Sequence, residues 1–393
     1  MHQHLEHFPE PVPDPVDLLP EGPLPQRAAQ PEIHRFVFTG SGKEYFKIWM
    51  VNLFLSVATL GIYSAWAKVR RLQYFDRNTQ LAGAVFDFNG NPAAIFRGRV
   101  LAVILLGAYQ YAFGFSLAVG VAVVLMLLLS LPFLMRGALR FRLRNTRYRG
   151  LRFGFSGSTM DAYPAYFPPV LMFLLPALLV AIDPTGRSLF LTFVFYLLWP
   201  LMHGAMKRYQ HQHILYGSMA SSFYVPKLRF YVPYLKSIGI TLLALLLAVA
   251  IVMLGYFAHQ QMIGRADAEK NGVWMPMIMA LAFSYLAYLM AGPYLQVRIG
   301  NLAWSATTFP GVTISSHLKA RAYMKLQLVN SILTLLSLGL YRPFAVVRAY
   351  RYRLSHISVT TEHGFEGALA GVSGSGSASA DGVADFLGVD LSW

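Results

Sequence analysis

Between Arg99 and Arg136 the chain runs through 36 residues, Val100 to Met135, without one charged side chain. As a single α-helix this run would extend about 54 Å at 1.5 Å per residue, well beyond the roughly 30 Å hydrocarbon core of a bilayer. It is too apolar to rest in water and too long to cross a membrane once. A tight hairpin of two helices, turning near Gly114, satisfies both constraints. Four further stretches each suit one crossing: Tyr166 to Ile182, Ser188 to Met206, Ile238 to Phe257 and Val273 to Leu295. The composition agrees, since 55% hydrophobic against 13% charged residues marks a chain whose solvent is largely lipid. The expectation is an all-α polytopic membrane protein with six spanning helices in three hairpins.

The loops set its orientation. Those inside the hairpins carry little net charge, whereas those between them are basic: Lys68, Arg70, Arg71, Arg77, Arg97 and Arg99 precede the first hairpin, and Arg136, Arg140, Arg142, Arg144, Arg147, Arg149 and Arg152 follow it. Lysine and arginine gather on the cytoplasmic side, which puts these loops and both termini there.

Flanking the six passes is an internal duplication. Tyr45 to Phe75 aligns without a gap with Tyr323 to Arg353, with twelve identical pairs, among them Asn52/Asn330, Gly61/Gly339, Tyr63/Tyr341 and Arg70/Arg348. Both copies are basic at both ends, so a full crossing would break the charge rule at one of them. A re-entrant element avoids this: a short helix dips in, the chain turns at Leu60-Gly61 or Leu338-Gly339, and an amphipathic segment returns. The alternative is eight full transmembrane helices with the two copies in opposite orientations.

A fainter pattern repeats outside the apolar stretches. Phe36-Val37-Phe38-Thr39-Gly40, Phe86-Asp87-Phe88-Asn89-Gly90 and Phe153-Gly154-Phe155-Ser156-Gly157 alternate with period two and end in glycine, which predicts short strands. Looser echoes lie at Leu215 to Tyr224, Asn301 to Phe309 and His356 to Gly367. Lone strands are unstable in water, so these segments are expected to pair in a small cytoplasmic β-sheet beneath the helices. Residues 1–34 read as a disordered, acidic, proline-rich tail, 35–370 as the membrane domain, 371–383 as a Gly/Ser linker and 384–393 as a short terminal segment.

Catalytic signatures are missing: there is no Walker loop, HExxH, GxSxG elbow or dinucleotide fingerprint, and no cysteine for thiol chemistry or metal ligation. No cofactor or metal is expected; His2, His4 and His7 lack a fourth ligand, and His203 suits a hydrogen-bonded structural role. The passes also lack acidic or basic residues at depth, which counts against proton coupling. What remains for a binding site are the uncharged groups of the duplicated element, Asn52, Gly61, Tyr63, Asn330, Gly339 and Tyr341; packing helices is the competing role for such groups. Arg70, Arg71, Arg140, Arg142, Arg144 and Arg348 are the candidates for anionic lipid headgroups. Nucleic acid is not an expected partner, because no recognised module accompanies the charge.

The motifs TLGIYSAWAKVRRLQYFDRNT and LGLYRPFAVVRAYRYR, with the FxFxG segments around them, resemble the YjgN-type bacterial inner-membrane proteins, a family named for a domain of unknown function. The resemblance covers about residues 35 to 370 and implies a polytopic inner-membrane protein without assigned catalytic residues. The functional expectation is a passage or binding site for a small solute or lipid; the alternative is a non-transporting organiser that binds anionic lipid or a cytoplasmic partner.

Overall fold

In the computed structural model, residues 31–183, 185–263 and 274–362 are described, and helical pairs alternate with short strands along them. Strands β1 (Glu32–Arg35) and β2 (Val37–Phe38) lead into α1 (Gly42–Ala58) and α2 (Ser64–Arg77). Next, β3 (Thr79–Leu81) and β4 (Ala84–Phe88) lead into α3 (Pro92–Phe115) and α4 (Leu117–Arg144). Strands β5 (Thr146–Tyr148) and β6 (Leu151–Phe155) precede α5 (Thr159–Ile182), the short α6 (Phe190–Leu197) and α7 (Trp199–Gln212). Strands β7 (Ile214–Tyr216), β8 (Met219–Ala220) and β9 (Ser222–Phe223) precede α8 (Tyr231–Ile263) and α9 (Trp274–Trp304). Finally β10 (Thr307–Phe309) and β11 (Val312–Ser316) lead into α10 (Ala320–Leu336) and α11 (Arg342–Leu354), after which β12 (Ile357–Thr361) follows.

The strands pair as expected from the aromatic alternation, but in a more inclusive way. One sheet has the order β2-β3-β4-β5-β6-β7-β8 and the other β1-β12-β11-β10-β9, with antiparallel ladders throughout. Only Phe36 separates β1 from β2 and only Ser221 separates β8 from β9, so the two sheets are continuous at both ends and the pairings form a closed cycle. Closure leaves no long edge open to other chains. The paired chain starts at Glu32, inside the stretch whose composition reads as tail; residues 1–30, the Gly/Ser linker and the terminal segment 384–393 lie outside the described residues.

Closure has a consequence for every helical pair, because the strand before a pair bonds to the strand after it. Phe38 faces Thr79 across α1–α2, Phe88 faces Thr146 across α3–α4 and Phe155 faces Ile214 across α5–α7. Phe223 faces Thr307 across α8–α9, and Ser316 faces Ile357 across α10–α11. Each pair therefore leaves the strand cycle and returns to the same place on it.

The FxFxG spacing has a clear physical cause. The first phenylalanine fills the centre of the strand cycle, where Phe36 stacks at 6.1 Å on Phe86, Phe86 at 4.5 Å on Tyr148 and Phe153 lies 4.9 Å from Tyr216. The tyrosines there are buried and tied to backbone: Tyr148 Oη donates to the Leu81 carbonyl at 2.6 Å, Tyr216 Oη donates to the Tyr148 carbonyl at 3.0 Å, and burial pushes the Tyr216 phenol up to about 12. The second phenylalanine, two residues on and so on the same strand face, packs up among the helices: Phe88 against Ala65, Val69, Ile95 and Phe141, Phe155 against Ala162 and Tyr209. Its ring then lies over the glycine. A Cβ at Gly90 would sit 2.5 Å from the Phe88 ring and one at Gly157 2.6 Å from the Phe155 ring, which is why the motif closes in glycine.

Among the described residues three helices, Pro92–Phe115, Leu117–Arg144 and Lys227–Ala258, are long and apolar enough to cross a membrane, and the pair Arg187–Leu197 and Trp199–Gln212, bent by 48°, makes a fourth if it is one span. The bend falls where Pro200 enters the first turn of α7, since proline has no N–H to continue the α6 ladder. The first hairpin turns at Ser116, two residues past Gly114; the Ser116 hydroxyl accepts from the Val119 N–H at 3.2 Å and caps α4. Only 6% of the apolar window of Lys227–Ala258 is buried, so the described residues leave most of this leucine-rich surface uncovered.

Candidate functional site

The two aligned segments adopt the same turn. At the end of α1 the Leu60 N–H bonds to the Val57 carbonyl at 3.1 Å and the Gly61 N–H to the Ser56 carbonyl at 2.7 Å; at the end of α10 the Leu338 N–H bonds to Leu335 at 3.0 Å and the Gly339 N–H to Thr334 at 2.7 Å. This is the Schellman pattern that ends a helix with a left-handed residue. Two hydroxyls complete it: Thr59 Oγ1 accepts from the Tyr63 N–H at 2.9 Å and Ser337 Oγ from the Tyr341 N–H at 2.8 Å. Leu60 and Leu338 hold φ of 51° and 50°, the position where glycine is usual because a Cβ costs about 1–2 kcal/mol. Their side chains are also 95% and 94% exposed, so no packing within the protein repays the strain. Leu60→Gly is expected to raise stability in detergent by about 1 kcal/mol, read as a higher thermal midpoint; a lower midpoint would show that the leucine is held by contacts.

The asparagines sit deeper. Asn52 and Asn330 are buried, and Asn330 Nδ2 donates to the Ala345 carbonyl at 3.2 Å, tying α10 to α11. In both residues Oδ1 is buried without a hydrogen-bond partner among the described residues. A methyl group added at Gly61 or Gly339 would meet nothing within 4 Å, so both glycines form open tips. Tyr63 lies under the Arg70 guanidinium at 5.8 Å, and at the equivalent positions Arg348 Nη1 donates to Tyr341 Oη at 2.7 Å. The two segments pack side by side, with Phe46 5.6 Å from Phe344 and Tyr45, Phe75 and Val347 in one buried cluster.

The arginine run divides between outward-facing residues and structural ties. Arg70 and Arg348 are exposed, and Arg71 lies over Phe75 at 6.0 Å. Arg142 instead contacts buried Asp76 at 3.3 Å and lies over Phe88 at 5.0 Å, while Arg140 Nε is buried and Arg144 is half-buried. Burial raises the Asp76 carboxyl above its ordinary value, with Arg142 opposing. Other cations hold the glycine turns: Arg136 Nε donates to the Gly157 carbonyl at 2.7 Å and Arg351 Nη2 to the Gly40 carbonyl at 2.7 Å. No local signal distinguishes such ties in sequence, since their acceptors are backbone atoms far along the chain. His203 Nδ1 and Trp199 Nε1 both meet Tyr234 Oη, at 2.7 and 2.8 Å, linking α7 to α8.

A groove of about 930 Å³ opens elsewhere, between Ile240 on α8, Met290, Tyr294 and Arg298 on α9, and Lys319 and Arg321 at the start of α10. None of its lining residues belongs to either Leu-Gly turn. The spacing of Met290, Tyr294 and Arg298, four residues apart on one helix face, is visible in sequence, but it falls in a stretch whose hydropathy speaks only for a pass.

The profile of the family described as bacterial protein of unknown function (DUF898) matches residues 33–386. Among curated relatives, the inner membrane protein YjgN of Salmonella typhimurium (strain LT2) is 28% identical over 334 residues, covering 79% of this chain and 84% of the relative. YjgN of Escherichia coli K12 is 32% identical over 141 residues, 35% of each chain. No solved structure matches.

Proposed function

The chain belongs to the family of bacterial proteins of unknown function DUF898, and from that premise we propose that it is an inner-membrane protein that organises lipid and conducts no solute. The observation that carries this reading is the return of every helical pair to the strand cycle. All membrane elements then enter from one face, and the preference of lysine and arginine for the cytoplasmic side supports a cytoplasmic position for that face and both termini. Six crossings come from α3, α4, α5, the bent α6–α7 unit, α8 and α9. Helices α1, α2, α10 and α11 have 17, 14, 17 and 13 residues and reach only about 20–26 Å, less than the roughly 30 Å core. The duplicated elements are thus re-entrant wedges whose Leu60, Ile62, Leu338 and Leu340 tips end among acyl chains, where exposed leucines at strained positions have a use. Stacked aromatics across the strand cycle oppose conduction through its centre.

The chain has no cysteine, so a fluorophore on Leu60→Cys or Leu338→Cys reports one site. Both labels are expected to be quenched by mid-chain quenchers in the lipid tails; quenching by aqueous iodide alone would remove the wedge reading. The unpartnered Oδ1 atoms of Asn52 and Asn330 favour a second reading, a solute site between the copies. Solute uptake by proteoliposomes that falls to the empty-vesicle level in the Asn52→Ala/Asn330→Ala variant would support it over the organiser.

A further inference from the structure

We propose that the groove between α8, α9 and the start of α10 is a binding site for one anionic phospholipid of the inner leaflet, with its phosphate at Arg298, Lys319 and Arg321 and an acyl chain along Ile240 and Met290. The inference rests on the organiser reading and names the ligand and place for it. Among the described residues three cations line the groove and no acid does. Arg298 reaches over the Tyr294 ring at 5.6 Å, and Met290 lies one turn further along the same face of α9. The lining therefore passes from cationic at the strand end to apolar towards mid-helix, the polarity gradient of a phospholipid. The span that includes most of α8 has the smallest buried share of the three candidate spans, 6% of its apolar window, so a chain in the groove is continuous with the bilayer. The arrangement is distinct from the exposed Arg70 and Arg348, which lean on tyrosines of the wedges and do not line this groove.

The test is retention of lipid by the full chain, purified from vesicles of phosphatidylglycerol and phosphatidylcholine in equal parts and read by native mass spectrometry. Wild type is expected to carry phosphatidylglycerol selectively. In Arg298→Gln/Lys319→Gln/Arg321→Gln its retention falls about a hundredfold for three cations removed, with phosphatidylcholine unchanged. Met290→Trp leaves the cations and fills the apolar end, and it too loses phosphatidylglycerol; circular dichroism and the thermal midpoint report that each variant is folded. Selective retention in wild type that both folded variants keep overturns the groove and leaves the organiser standing. Wild type without selectivity overturns the groove as well, and then the quenching depth of the Leu60 label decides separately whether the wedge reading survives.

Discussion

Phe88→Ala should lose about 3–5 kcal/mol, the usual cost of emptying a fully buried phenylalanine site. Phe88 is 0% exposed and meets Ala65 and Val69 of α2, Ile95 of α3 and Phe141 of α4, so three helices lose their common contact with the strand cycle at once. They cannot collapse into the space independently, because each is tied to a different strand. Gly90→Ala tests the same packing from the other side: its Cβ would lie 2.5 Å from a ring that has no room to move, and overpacking of this kind costs about 1–3 kcal/mol. Thermal unfolding in detergent measures both. A Phe88→Ala midpoint close to wild type would mean that the strand cycle does not hold the helices together.

Arg142→Ala should be nearly as damaging, at about 3–5 kcal/mol, since it leaves the Asp76 carboxylate buried without its counter-ion. Asp76 is 6% exposed and its Oδ2 has no hydrogen bond among the described residues. The variant should also gain stability in acid. Burial raises the folded-state pKa of Asp76 above 3.8, so the folded form takes up a proton before the unfolded form does. Its contribution is then fully present below about 3.8 and is lost as pH rises through the raised value. Without Arg142 opposing the shift, the gain begins at a higher pH than in wild type. Asp76→Asn/Arg142→Met, which removes both charges, should recover most of the loss at neutral pH. Equal stability of Arg142→Ala and wild type across the pH range would show that the pair is solvated.

The features legible in sequence were those with local periodicity. The apolar stretches gave helices, and the FxFxG alternation gave strands at Val37–Phe38, Ala84–Phe88 and Leu151–Phe155. Asn78, before Thr79, and Asn145, before Thr146, close the preceding helices: Asn78 Nδ2 donates to the Tyr74 carbonyl at 2.8 Å and Asn145 Nδ2 to the Phe141 carbonyl at 2.8 Å. Closure of the strand cycle was not legible, because strands of two to five residues carry too little pattern to name a partner, and Ile33 pairs with Thr360 across nearly the whole chain. The charge rule treats all arginines alike, so it could not separate Arg70, which is exposed, from Arg142, which neutralises an acid. The lone aspartate in WAKVRRLQYFDR was the available hint, as an isolated acid in a basic helix calls for a cation nearby. For the candidate site, the sequence pointed to the Leu-Gly turns. The groove escaped notice because its cations come from two helices separated by a pair of strands.

The proposed organisation requires each helical pair to enter and leave through one face of the membrane. Single cysteines at Lys43 and Arg77 flank α1–α2, and at His317 and Ser355 they flank α10–α11; labelling with a membrane-impermeant maleimide in spheroplasts and in inside-out vesicles assigns each to a side. All four should react in inside-out vesicles and be protected in spheroplasts. Reaction of Lys43→Cys and Arg77→Cys from opposite sides would contradict the re-entrant wedge and the single-faced strand cycle together.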